Sequence, residues 1–75
     1  FNPTTTITYD IAQHSFVRLS VYDLLGKQIS TLVNEEKRPG KYEVIWDASD
    51  FPSGIYYYRL KAGNNLLSGN MILLK

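Results

Sequence analysis

Two stretches constrain this chain more than any others: Tyr42-Glu43-Val44-Ile45-Trp46-Asp47 and Gly54-Ile55-Tyr56-Tyr57-Tyr58-Arg59-Leu60. Trp46 is the only tryptophan in 75 residues, and three of the six tyrosines fall in the second stretch. A buried aromatic side chain covers about 150–250 Å², so in so short a chain the direction in which Trp46 points sets the centre of the core. Alternation puts Tyr42, Val44 and Trp46 on one face of an extended segment over 41–47, and Tyr56, Tyr58 and Leu60 on one face of a second. Arg59 then snorkels outward beside Ile55 and Tyr57. The turn-rich segment Ala48 to Ser53 makes the two stretches either antiparallel neighbours or partners across two sheets.

The remainder of the chain follows the same β-rich grammar. Ile7, Tyr9 and Ile11 share one parity in a first strand over 5–11, after Pro3 has forbidden a ladder hydrogen bond. Phe16 to Tyr22 alternates with Val17, Leu19 and Val21 facing inward and Arg18, Ser20 and Tyr22 facing a solvated side. Asp23-Leu24-Leu25-Gly26 fits a type I turn with Gly26 at positive φ. The returning arm, 27–33, loses its parity between Thr31 and Leu32, which means either a bulge or burial on both faces. Asn34 to Arg38 reads as a solvated charged connector, and Arg38-Pro39-Gly40-Lys41 as a type II turn. Asp47 is placed to form an Asx-turn with Ala48-Ser49, and Phe51-Pro52-Ser53-Gly54 reads as a type I turn. Gly63-Asn64 marks a two-residue hairpin, and Ser68-Gly69 a bulge or break within the closing segment 66–75.

Six or seven short strands with turn signals about every ten residues specify an all-β fold, an immunoglobulin-like antiparallel β-sandwich. A small closed barrel is the alternative. The expected core is Val21, Tyr42, Val44, Trp46, Tyr56, Tyr58 and Leu60.

Composition excludes several functions. The chain is one domain, and at this length it buries only about 60% of its unfolded surface. There is no cysteine, hence no disulfide and no thiolate metal site. A domain without disulfides is either cytosolic or exported and held by aromatic packing. A net charge of +1 gives no electrostatic footprint for nucleic acid or an anionic membrane. The chain starts at Phe1 without a signal peptide and reads as a piece of something longer. His14, the sole histidine, has no nucleophile at a telling spacing and reads as a solvated loop residue. Asp47 and Asp50 are two loop carboxylates without the further oxygens that calcium needs, and turn capping accounts for them. Tyr57 is the one tyrosine of its run left to the outside. No phosphate loop, zinc spacing or basic stripe is present. The residues predict no catalytic residue, no metal, no cofactor, no nucleic-acid partner and no small-molecule substrate.

With these segments placed, the chain resembles the type A C-terminal sorting domain of the type IX secretion system of Gram-negative bacteria. The matching pieces are Asn2-Pro3-Thr4-Thr5-Thr6-Ile7, Val21-Tyr22-Asp23-Leu24-Leu25-Gly26-Lys27, Pro39-Gly40-Lys41-Tyr42-Glu43-Val44-Ile45-Trp46-Asp47 and Ser53-Gly54-Ile55-Tyr56-Tyr57-Tyr58-Arg59-Leu60. Asn70-Met71-Ile72-Leu73-Leu74-Lys75 matches the terminal pattern, with Asn70 where a lysine is more usual. The resemblance implies a single C-terminal immunoglobulin-like sorting domain over 1–75, carried by a larger secreted cargo. Its implied partners are the translocon, sortase-like components of the outer membrane and the upstream cargo domain. Its implied route runs through the periplasm to the cell surface or beyond, usually with removal by a sortase-like peptidase. Met71, Ile72, Leu73, Leu74 and Lys75 form the expected recognition strand, one parity in the sandwich and the other near solvent.

The segment from Tyr22-Asp23-Leu24-Leu25-Gly26 through Trp46-Asp47 is similar also to the immunoglobulin-like domain of flagellar hook-capping proteins. Accessory modules of bacterial glycoside hydrolases share it too, which would imply a structural or carbohydrate-binding role. Asn2-Pro3-Thr4 and the ending Leu74-Lys75 favour the sorting resemblance.

Overall fold

A computed structural model of the chain describes residues 3–74. Six strands form in sequence: β1 (Thr4–Ile11), β2 (Ser15–Tyr22), β3 (Gln28–Lys37), β4 (Gly40–Asp47), β5 (Gly54–Ala62) and β6 (Asn65–Leu73). They make two antiparallel sheets, β1-β4 and β3-β2-β5-β6, and none of the described residues is helical. The result is the immunoglobulin-like sandwich rather than a closed barrel.

Tight turns close the two hairpins, β2-β3 and β5-β6, as their sequences require. Asp23 Oδ1 accepts the N–H groups of Leu25 and Lys27, each at 2.9 Å, and Gly26 takes a φ of 85° that a side chain would resist. Gly63 and Asn64 link the paired residues Ala62 and Asn65. The other three connections cross between sheets, so β4 and β5 face one another rather than pair. Asp47 Oδ1 accepts the Ser49 N–H at 3.0 Å, forming the expected Asx-turn.

Four local readings change. Asn34 to Lys37 extends β3, pairing with Ser15 to Arg18, because Glu35 and Glu36 occupy exposed positions of an edge strand and Lys37 is half-buried beside Tyr42. Gly40 takes a φ of 153°, far from the roughly +80° of a type II turn, since the chain is changing sheets there. The turn near Phe51 lies three residues earlier, over Ala48 to Phe51, with the Phe51 N–H donating to Ala48 C=O at 3.0 Å. Ser68-Gly69 causes no break, because β6 pairs with β5 in one uninterrupted register from Ala62–Asn65 to Gly54–Leu73.

The lost parity in β3 does mark a bulge. Leu19 pairs with Val33 while Ser20 pairs with Thr31, leaving Leu32 as the extra residue; Ile29 is extra in the same way between Ser30 and Gln28. Both bulged side chains pack on the core.

That core has two lobes. Ile7, Tyr9, Ile11, Val17, Leu19 and Leu60 form one; Val21, Trp46, Ala48, Tyr56 and Leu73 form the other. Leu32 and Met71 touch both lobes, joining them across the sheets. Tyr42, Val44 and Tyr58 are half-buried against the first lobe. Trp46 meets Tyr56 edge-on at 5.3 Å and Phe51 at 5.8 Å, both favourable ring separations. At the opposite end Tyr9 stacks on its cross-strand partner Tyr42 at 5.4 Å, and Lys37 Nζ lies 5.0 Å above the Tyr42 ring. Burial holds the Tyr9 hydroxyl above its usual value, while the hydrogen bond to Glu35 raises Lys37.

Candidate recognition strand

β6 ends the four-stranded sheet, and its alternation sorts its side chains sharply. Leu73 is fully buried beside Trp46, and Met71 is half-buried between the two core lobes. Ile72 is 56% exposed and Leu74 62%. The inward parity is therefore Met71 and Leu73, and the outward parity is Ile72 and Leu74. Lys75 lies outside the described residues.

The close pairing of β6 depends on Gly69. A Cβ at that position would stand 2.6 Å from ring atoms of Tyr58, its direct partner on β5. The glycine lets the Tyr58 ring lie flat over β6. Further along, Leu67 pairs with Leu60 and shares its inward face, yet it is 61% exposed. The two-stranded sheet is too narrow to cover β6 there, and a depression of about 680 Å³ opens among Ile11, His14, Leu60, Ala62, Leu66 and Leu67.

The other residues with chemical potential are scattered. His14 Nε2 and Glu36 Oε2 are 2.9 Å apart, a carboxylate neighbour brought in by the β2-β3 pairing and invisible along the chain. Both side chains are open to solvent, and Ser15 Oγ donates instead to Gln13 C=O at 2.8 Å. Asp47 faces its own turn, while Asp50 is exposed. Among the described residues no three His, Asp or Glu side chains gather as a metal site would require. No described helix is long and apolar enough to cross a membrane.

Comparison with known families finds one that covers this architecture: the secretion system C-terminal sorting domain, matching residues 2–74. The chain belongs to that family. It is a sorting signal for type IX secretion, directed toward the cell surface or the extracellular space, and it works with the type IX machinery on a cargo upstream of it. Domains of this family are typically non-catalytic. No curated protein matches the chain.

Proposed function

We propose that the sorting domain is read through β6, by a component of the outer-membrane translocon that engages Ile72 and Leu74. The observation that supports this is the split within the last strand. Leu73 anchors it in the core while Ile72 and Leu74 remain more than half exposed at the end of the sheet. Exposed aliphatic side chains on an edge strand invite pairing with another chain, a hazard that a purely structural module would blunt with charge. In a secretion signal the same strip offers a receptor both a strand to extend and side chains to grip.

The cargo then folds in the periplasm and presents this finished surface. A sortase-like peptidase cleaves upstream of the domain, and the cargo reaches the cell surface or the medium. The single domain would be the last part of a larger secreted protein.

The test replaces Ile72 and Leu74 with Ser in a tagged cargo carrying the domain. Both side chains face outward, so the melting temperature should stay within a few degrees of the parent. The expected result is cargo retained in the periplasm at several-fold higher levels, with its tag absent from the surface. Normal surface delivery of the folded variant would mean that the signal lies elsewhere on the domain.

A further inference from the structure

The net charge of +1 conceals a strong segregation. Asp10, Glu43 and Asp47 lie on the outer face of β1-β4, together with Lys41. The outer face of the larger sheet carries Arg18, Arg59 and Lys61 across its middle, on the adjacent strands β2 and β5, with Glu36 at its β3 edge held by His14. Arg18 and Lys61 are direct cross-strand partners, and like charges so placed repel. No carboxylate pairs with any of the three among the described residues; the two described ion pairs involve His14, Glu35, Glu36 and Lys37.

These cations border a depression of about 210 Å³ that is also lined by Ser20, Tyr22 and Gln28. Ser20 is 2% exposed, and its hydroxyl has no hydrogen-bond partner among the described residues. An unsatisfied buried hydroxyl carries a desolvation cost. Its position opposite Arg59, at the centre of the cationic face, gives that cost a use. The Arg59 guanidinium rests 5.7 Å from the Tyr22 ring centroid, which orients it over the depression.

We propose that this depression binds a phosphate group, with Arg18, Arg59 and Lys61 supplying charge and Ser20 donating a hydrogen bond from below. Three cations oversupply a carboxylate, whereas a phosphate monoester carries about −1.5 to −2 charge and three acceptor oxygens. Arginine forks match tetrahedral oxyanions with paired hydrogen bonds. The gain on binding includes relief of the Arg18–Lys61 repulsion. The site lies on the sheet face and involves none of the side chains through which β6 is proposed to act.

The test is a titration of the isotopically labelled chain with sodium phosphate, against sodium chloride at matched ionic strength, read by amide and arginine side-chain resonances. Saturable shifts centred on Ser20, Arg59 and Lys61 are expected with phosphate alone. The Arg18→Gln/Arg59→Gln variant should bind at least about tenfold more weakly, as loss of charge-assisted bonds requires, while a Lys41→Gln control binds like the parent. Ser20→Ala should also weaken binding several-fold while leaving the melting temperature equal or higher, because it removes an unpartnered polar group. Sedimentation with phosphatidic acid vesicles, whose headgroup is a phosphate monoester, against phosphatidylcholine vesicles, identifies the source. Arginine-dependent retention on the anionic vesicles assigns a lipid headgroup, and saturation by free phosphate without retention assigns a soluble phosphate. Linear shifts with phosphate, together with no arginine-dependent vesicle retention, would overturn the site, as would parental affinity in Ser20→Ala.

Discussion

Trp46 is 2% exposed and touches two other rings, so its loss opens a cavity that Phe51 and Tyr56 cannot close without abandoning each other. Trp46→Ala should cost about 3–5 kcal/mol, comparable with the whole stability of a domain this small. The variant should show an unfolded circular dichroism spectrum at room temperature; a melt within a few degrees of the parent would contradict the packing. Tyr9 supplies a second residue-level test. Burial raises its phenol above the usual value of about 10, so the native chain holds the proton more tightly than the unfolded one. The stability this contributes is complete below about pH 10 and is lost as pH rises through the folded value. Tyr9→Phe should flatten the alkaline fall in melting temperature with little change at neutral pH. An equally steep fall would shift attention to Lys37, whose own raised value loses stability in the same direction.

At the scale of elements, β3 and β6 solve opposite problems. β3 bends around the core by inserting Ile29 and Leu32 as extra residues, and so reaches both lobes from an edge position. β6 stays regular and instead gives up a side chain at Gly69, under the Tyr58 ring. Gly69→Ala should cost about 1–3 kcal/mol in a denaturant melt, the usual range for overpacking. In a Tyr58→Leu background the same change should cost less than about 1 kcal/mol, because the clash has been removed. Equal costs in both backgrounds would show that the backbone of β6, not the ring, requires glycine.

For the molecule as a whole, two sheets of unequal width leave the wider one with more surface than the narrower can cover. The uncovered parts are the features of interest: Leu67 on the inner face of β6, Ile72 and Leu74 at its end, and the cationic middle of the outer face. Asp47 caps its own turn and Asp50 is open to solvent. Millimolar calcium should therefore leave the melting temperature unchanged, since a ligand specific to the native state would raise it. An upward shift would show that Asp47 and Asp50 are ligands.

The strands and the turns at Asp23-Gly26 and Gly63-Asn64 were legible in the residues, because alternation and turn chemistry are local; the family resemblance was legible in the ordered motifs that carry it. The inward parity of β2 could be read in the same way, from Val17, Leu19 and Val21 alone. Local pattern could not say that β4 faces β5 across the sandwich, since a six-residue connection serves either arrangement. Nor could it extend β3 through Asn34 to Lys37, where charge resembles a loop until a neighbouring strand supplies the hydrogen bonds. His14 and Glu36, and the three cations around Ser20, stand far apart along the chain and meet only through strand register. Terminal parity has two choices along the chain, and packing in the lobe of Trp46 decides between them: Leu73 enters the core, so Ile72 and Leu74 face out. Periodicity determines which residues travel together; only the second sheet determines which of the two sets is buried.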